Sequence, residues 1–162
     1  MSESQILIDV ERCLSESYSE MVARHEDEFK FFPVMCAVSK SQFDTGMRNL
    51  GLKPTDTDKI LCVCRNCFIR KADEKAFEMM NLRQHLETEV AQHADLTGEG
   101  FLLQMFRYEL AEADYGYTRD AGPALKTLHT TMESIRCDER MLHAFEMACQ
   151  QEVDWYNKQQ RG

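Results

Sequence analysis

The chain has 162 residues, a charged fraction of 29% and a formal net charge of −9. This length and composition predict a single globular domain over residues 1–162, and the acidic balance without a basic cluster argues against direct binding to nucleic acid. The longest apolar runs are too short to span a bilayer, and the N-terminus lacks the basic start and apolar block of a secretion signal. We therefore expect a cytoplasmic protein whose seven cysteines are free thiols.

The first part of the chain predicts a helix followed by a strand. Apolar residues at helical spacing indicate an amphipathic helix over residues 4–25. The aromatic and β-branched run "EFKFFPVMCAV" at 28–38 is typical of a strand. Because proline cannot donate to a strand ladder, Pro33 suits the start of that strand or the edge of a sheet.

A short helix and a hairpin come next. Ser39 and Gln42 have the spacing of a capping box, and Gly51 stands where the following helical stripe should stop. The residue pattern predicts two strands, 59–64 and 67–71, joined by a two-residue turn at Arg65-Asn66.

The remainder of the chain is predicted to be helical. Helices are expected over 73–94, 101–115 and 139–158, the last capped by Asp138, with a short helix after Asp120. The helix at 101–115 is apolar over most of its circumference, which predicts a central position, and Gly116 is expected to end it.

Together these elements predict a mostly helical α+β fold. A small antiparallel sheet, made of one strand and a hairpin, would pack with a helical bundle. The predicted regions are the N-terminal helix 4–25, the sheet region 28–71 and the helical region 73–158.

Three cysteines lie close together in the hairpin, within the stretch "KILCVCRNCFIRK". If Arg65-Asn66 is the turn, alternation along the strands places Cys62, Cys64 and Cys67 on one face, where Cys36 could add a fourth sulfur. Four thiolates could bind zinc, although the sequence lacks the second C-x-x-C pair that is typical of a structural zinc site. We favour packing as small apolar side chains over metal binding, and we rank redox chemistry below both.

A carboxylate in the most apolar helix provides the candidate for catalysis. Glu109 shares a helix stripe with apolar residues, so burial could raise its pKa, as a general acid or base requires. An enzyme using Glu109 and Asp114 is therefore an alternative. We favour a structural carboxylate paired with an arginine such as Arg83 or with a tyrosine, because no second catalytic group is evident.

Three stretches resemble a family of small uncharacterised proteins found in bacteria, their plasmids and phages. They are "FDTGMRNLGL", "DKILCVCRNCFIRKAD" and "MFRYELAEADYGYTRDAGPALKTL", and the resemblance covers about residues 30–150. This chain has "CVCRNC" where the family has consecutive glycines, and Glu112-Ala113-Asp114 where the family has Asn-His-Glu. The resemblance implies a fold and an association with mobile elements, and it carries no activity.

The charge pattern completes the functional prediction. Residues 76–122 carry nine acids and three bases, whereas residues 33–75 carry five acids and eight bases. The sequence has no phosphate-binding glycine loop, nucleophile elbow or zinc-protease motif, so we predict neither catalysis nor a cofactor. We expect an interaction protein, such as an anti-defence inhibitor from a mobile element, that meets a basic, nucleic-acid-handling protein partner through acidic side chains. The partner-binding candidates are Glu87, Glu99 and Glu112.

Overall fold

The computed structural model describes residues 7–162 and confirms the predicted mostly helical α+β class. Three strands form one small antiparallel sheet: β1 (Val34–Cys36), β2 (Ile60–Cys64) and β3 (Cys67–Arg70). The helices described within this range are α1 (Val10–Ser15), α2 (Tyr18–Phe31), α3 (Lys40–Asn49), α4 (Glu74–Ala94), α5 (Phe101–Glu112), α6 (Tyr115–Thr118), α7 (Gly122–Thr127), α8 (Met132–Arg136) and α9 (Glu139–Arg161).

The sheet has the order β1-β3-β2, so β3 is central and β1 lies at an edge. The predicted hairpin is confirmed: Cys64 lies opposite Cys67, and Asn66 in the turn has a φ of 63°, which asparagine tolerates better than most residues. Pro33 immediately precedes β1, in agreement with the prediction of a strand start or an edge.

A bulge changes which cysteines share a face. The register of β2 shifts between Cys62 and Cys64, so Cys62 lies opposite Phe68 while Cys64 lies opposite Cys67. Directly opposed residues point to the same side of a sheet, and neighbours along β3 point to opposite sides. Cys62 therefore lies on the face opposite to Cys64 and Cys67, and the predicted three-cysteine face is wrong. Ile60, opposite Arg70, also lies on the Cys62 side.

The N-terminal helix is interrupted. The prediction of one helix over 4–25 is wrong within the described residues, because α1 ends at Ser15 and α2 starts at Tyr18; residues 4–6 lie outside the described range. Ser17 and Glu20 form a capping box at the break. The Ser17 backbone N–H donates to Glu20 Oε2 at 2.8 Å, and the Glu20 N–H donates to Ser17 Oγ at 3.3 Å.

The predicted strand at 28–38 is mostly helix. Helix α2 continues through Phe31, and only Val34–Cys36 is extended. Aromatic packing explains the difference, since the rings of Phe29 and Phe32 lie 6.2 and 5.4 Å from the ring of Phe77 in edge-on arrangements. Such pairs stabilise beyond their buried area, so these phenylalanines are used as helix-packing residues rather than strand residues.

Helix α3 begins and ends as predicted from its sequence signals. Ser39 Oγ accepts the Gln42 backbone N–H at 3.2 Å, and Gly51 follows the helix with a φ of 74°. A cluster of apolar side chains joins α3 to the sheet and the loops beside it: Met35, Phe43, Met47, Leu50, Leu52, Ile60 and Phe68.

Helix α5 lies against α9, and half of its twelve residues are buried, as its apolar circumference predicts. The rings of Phe106 and Phe145 are 5.4 Å apart across this contact. Gly116 does not end α5, which stops at Glu112. It belongs to α6 and packs on α9, where a Cβ at this position would lie 2.9 Å from the carbonyl oxygen of Glu152.

The contacts divide the described chain into two compact units. The first unit holds residues 7–8 and 23–86, including the sheet and α3; the second holds residues 9–22 and 87–162, including α5 to α9. Helices α2 and α4 contribute residues to both units. The single domain over 1–162 stays a prediction. Over the range 7–162, none of the helices is both long and apolar enough to cross a membrane.

Candidate interaction surface

The net charges of the two units differ more than the net charges of the sequence segments 76–122 and 33–75 do. The second unit carries 18 acidic and 8 basic residues, a formal charge of −10. The described part of the first unit carries 9 acidic and 11 basic residues, a formal charge of +2. Folding therefore collects the acidic side chains of the N-terminus and of the C-terminal helices in one compact unit.

An exposed row of side chains runs along α9 in this acidic unit. Glu139, His143, Glu146, Gln150 and Asp154 are all exposed and recur every three or four residues, which places them on one side of the helix. The loop before α5 adds Glu99, whose Oε1 lies 2.9 Å from His143 Nε2. We call the carboxylates of Glu99, Glu139, Glu146 and Asp154 the acidic face.

No lysine or arginine interrupts the acidic face between residues 141 and 157. The nearest base before this stretch is Arg140, whose guanidinium is already engaged. It donates to Asp138 Oδ2 at 2.9 Å and to the Asp95 carbonyl oxygen at 2.6 Å. Glu146 and Asp154 therefore lie on a stretch of α9 that carries no lysine or arginine.

The three predicted partner-binding residues occupy different environments. Glu87 is only 4% exposed and lies within the second unit, so it cannot contribute to an accessible acidic surface, and this assignment is corrected. Charged residues of α4 face both inward and outward, and Glu87 is one that faces inward. Glu99 is exposed and belongs to the acidic face, and Glu112 is exposed at the end of α5. Partner binding by Glu99 and Glu112 stays a prediction.

A cleft of about 600 Å³ lies in the second unit, between the C-terminal part of α9 and the segments around α6. Its walls combine aromatic and charged side chains. Arg107 Nε donates to the buried carboxylate of Glu152 at 3.3 Å, while Trp155 is 54% exposed. The rings of Tyr117 and Tyr156 lie 5.9 Å apart at the same cleft. Given the helical period, the α9 residues that line the cleft, such as Glu152 and Tyr156, lie on the side of the helix away from the acidic face.

The cleft was not predicted from sequence. Trp155 lies near the C-terminal end of α9, and its side chain is more than half exposed, so it is not part of the buried core. Arg107 is the single basic residue of α5, and this isolation in an apolar helix is the only sequence signal that could have identified the site. Its ion pair with Glu152 joins residues 45 positions apart, which local patterns do not reveal.

Glu109 is buried and paired, as the structural alternative predicts. The Tyr18 hydroxyl donates to Glu109 Oε1 at 2.6 Å within the second unit. Burial, together with the nearby Glu109 carboxylate, raises the pKa of Tyr18 far above its ordinary range, so Tyr18 remains a hydrogen-bond donor. The partner is therefore a tyrosine rather than an arginine, and Arg83 instead donates to Glu28 Oε2 at 2.6 Å in the first unit.

The second residue of the enzyme alternative lies elsewhere. Asp114 is exposed, has a left-handed backbone with a φ of 53°, and lines the cleft. Glu109 is not among the residues that line this cleft. The fold thus separates the two carboxylates into a buried hydrogen bond and a solvent-exposed cleft wall.

The hairpin cysteines do not form the four-sulfur arrangement that the zinc alternative requires. Cys36 and Cys67 are joined by a disulfide, with Cα atoms 4.1 Å apart, so the expectation that all seven cysteines are free thiols is wrong. Cys62 lies on the opposite face of the sheet from this disulfide. In the described part of the chain, no group of three or more histidine, cysteine or acidic side chains is placed to hold a metal ion.

Comparison with known proteins gives a family assignment. Residues 17–151 match a family of unknown function, DUF7659, and this segment runs from the cap of α2 well into α9. Neither the curated proteins nor the solved structures contain a match to the chain. The expected resemblance to an uncharacterised family is confirmed at that level, while the association with bacteria, plasmids and phages stays a prediction. Because the match spans most of both units, this chain belongs to the DUF7659 family.

Proposed function

We propose that this protein is a non-enzymatic interaction protein whose acidic face binds a basic surface of a protein partner. The observation that carries the proposal is the charge separation between the units, with the −10 unit presenting four exposed carboxylates along α9 and the adjoining loop. Complementary potentials of this kind steer diffusional encounter and suppress wrong partners. The aligned carboxylates provide the charge pattern that such steering requires.

The partner we propose is a protein that handles nucleic acid. Its basic surface, built to hold regularly spaced phosphates, would accept a helix row of carboxylates in their place. The resemblance to proteins of mobile elements favours an inhibitor of a defence enzyme as the biological setting. The protein would then act within the cytoplasm, where such enzymes meet their substrates.

We propose the cleft, on the other side of α9 from the acidic face, as a second contact for the same partner. Binding energy at protein interfaces concentrates on tryptophan, tyrosine and arginine, which are large and lose little freedom when they become buried. Trp155, Tyr117 and Arg107 are exposed at this cleft. Charge would accordingly govern the rate of encounter, and the aromatic residues would govern the lifetime of the complex.

Absence of catalysis is part of the proposal. The hydrogen bond between Tyr18 and Glu109 supports it, because a buried carboxylate already holding a hydroxyl proton donor is not available to a substrate. Asp114 remains accessible but lines the cleft with the Arg107–Glu152 pair rather than with Glu109. A paired structural role accounts for Glu109 without a reaction.

The test compares two triple variants with equal changes in net charge. One variant, Glu99→Lys/Glu146→Lys/Asp154→Lys, reverses the acidic face. Its matched control, Glu26→Lys/Asp58→Lys/Glu78→Lys, reverses three exposed acids of the first unit. Each is used to retain proteins from a host lysate at about 50 mM and 500 mM salt, since exposed charges are screened within about 8 Å at physiological ionic strength and more strongly above it.

We expect a specific protein to be retained by the parent and by the control at low salt, and lost from the variant of the acidic face. Binding of the purified partner should then slow by tenfold or more in association rate for that variant, with a smaller change in dissociation rate. A partner retained equally by both triple variants would contradict the role of the acidic face. No retained partner for the parent at low salt would contradict the interaction function itself.

A further inference from the structure

A row of three cysteines crosses the sheet at the end next to the hairpin turn. Cys67 lies on the central strand β3, directly opposite Cys36 of β1 on one side and directly opposite Cys64 of β2 on the other. Directly opposed residues of an antiparallel sheet project to the same face, with Cβ atoms about 5 Å apart. All three sulfur atoms therefore lie on one face, in strand order Cys36, Cys67, Cys64.

Only one bond is formed among these three sulfur atoms. Cys36 and Cys67 are disulfide-bonded, and Cys64 is a free thiol beside the pair. Cys64 and Cys36 are both exposed, while Cys67 is 9% exposed on the central strand. A nucleophile and a leaving group thus have access to water, and the sulfur atom between them is held in place by the strands on both sides.

We propose that Cys36, Cys67 and Cys64 form a thiol–disulfide exchange site, in which Cys64 displaces Cys36 from Cys67. The Cys64 thiol gives its proton to water, the resulting thiolate attacks Cys67 Sγ, a Cys64–Cys67 bond forms as the Cys36–Cys67 bond breaks, and Cys36 leaves as a thiolate that takes a proton from water. The step is an isomerisation, so it needs no oxidant or reductant. The strand order favours it, because the attacking residue and the leaving residue stand on opposite sides of the sulfur under attack.

The exchange moves the covalent link within the sheet. In the starting state the link joins the edge strand β1 to β3, between residues separated by 31 positions. After exchange the link lies within the β2–β3 hairpin, across the turn at Arg65-Asn66. Strand β1 then keeps its backbone ladder and the packing of Met35 but loses its covalent link, and the released Cys36 thiol becomes open to modification.

Cys62 serves as an internal comparison for this site. It is also exposed and only two residues from Cys64, but it lies opposite Phe68 on the other face of the sheet. Its thiol donates to the Cys64 carbonyl oxygen at 3.2 Å. If proximity in sequence were enough for exchange, Cys62 and Cys64 would be equivalent, whereas the register assigns the reaction to Cys64 alone.

The experiment maps disulfides in the full-length folded protein after incubation at pH 8, acid quenching and alkylation of the remaining thiols. Trypsin cuts after Lys30, Lys40, Lys59, Arg65 and Arg70, so the three cysteine positions of the row fall in the separate peptides 31–40, 60–65 and 66–70. Mass spectrometry then distinguishes the link between 31–40 and 66–70 from the link between 60–65 and 66–70. Parent, Cys64→Ser, Cys62→Ser and Cys36→Ser proteins are compared.

We expect the parent and Cys62→Ser to contain both links, and Cys64→Ser to contain only the link between 31–40 and 66–70. Cys36→Ser oxidised with glutathione disulfide should form the link between 60–65 and 66–70. The proposal is overturned if the parent holds only the first link after prolonged incubation, or if Cys62→Ser loses the second link as Cys64→Ser does. Failure of Cys36→Ser to form the hairpin link would equally overturn it.

Discussion

The hydrogen bond between Tyr18 and Glu109 is the buried polar contact whose removal should most clearly perturb the second unit. The Tyr18 hydroxyl lies 2.6 Å from Glu109 Oε1, and both residues are buried, with the rings of Phe101 and Tyr108 packed edge-on against Tyr18 at 5.6 and 5.5 Å. Replacing Tyr18 by Phe keeps this aromatic packing and removes only the donor. Replacing Glu109 by Leu keeps the side-chain bulk and removes the acceptor.

The size of each effect follows from the charge state of the group left behind. A hydrogen bond to a charged group contributes about 1.5–3 kcal/mol, so Tyr18→Phe, which leaves the Glu109 carboxylate without this donor, should cost about 2–3 kcal/mol. Glu109→Leu leaves a neutral hydroxyl without this acceptor and should cost about 1–3 kcal/mol. The larger cost typical of breaking a buried ion pair is not expected, because the partner is a tyrosine.

The double variant Tyr18→Phe/Glu109→Leu gives the decisive comparison. Replacing both partners by apolar groups of similar shape can be nearly neutral, so it should be more stable than either single variant, with a coupling energy of about 2 kcal/mol. Thermal and urea unfolding measure this, at about 2–4 °C in Tm per kcal/mol for a chain of this size. As a control, Tyr115→Phe removes a hydroxyl that is hydrogen-bonded to the Cys149 thiol, and this change should cost about 1 kcal/mol or less.

Two outcomes would refute this account of the pair. If the costs of the two single substitutions simply add in the double variant, the hydroxyl and the carboxylate do not interact. If Glu109→Leu is as stable as the parent, the carboxylate has no partner that needs it. Either result would reopen a functional role for Glu109.

Two further predictions concern acid stability and helix packing. In the first unit, burial acts to raise the pKa of Glu28, but its hydrogen bonds to Arg83 and Gln84 outweigh burial and hold the pKa below its ordinary value. This stabilisation is present above the ordinary pKa of glutamate and is lost as the pH falls through the lowered pKa of Glu28. The unfolding free energy of Arg83→Met, measured between pH 7 and 3, should therefore depend less on pH than that of the parent. In the second unit, Gly116→Ala should cost about 1–3 kcal/mol in chemical unfolding, because the added Cβ would lie 2.8 Å from Tyr156 Cβ. Gly51→Ala is the control: the position has open space around it, so the change should cost only about 1 kcal/mol, from the left-handed backbone. Equal costs for the two substitutions would contradict the packing argument.

Sequence alone determined the features that depend on neighbours along the chain. Ser39 and Asp138 were predicted as helix caps, and both side chains accept backbone N–H groups within three residues of their own position. The hairpin turn at Arg65-Asn66 and the helical stop at Gly51 were predicted for the same reason. The hairpin and the helices α3, α4 and α9 follow from such local preferences, which act before distant parts of the chain meet.

Tertiary structure alone decided which charged and sulfur-bearing side chains come together. Tyr18 and Glu109 are 91 positions apart, and no periodicity links them. The burial of Glu87 and the exposure of the acidic face depend on which side of each helix finds a packing partner, and a single bulge in β2 moved Cys62 to the other face of the sheet. The periodicity of apolar residues predicts that a helix or a strand has two different sides. Contacts between residues distant in sequence decide which of the two sides is buried.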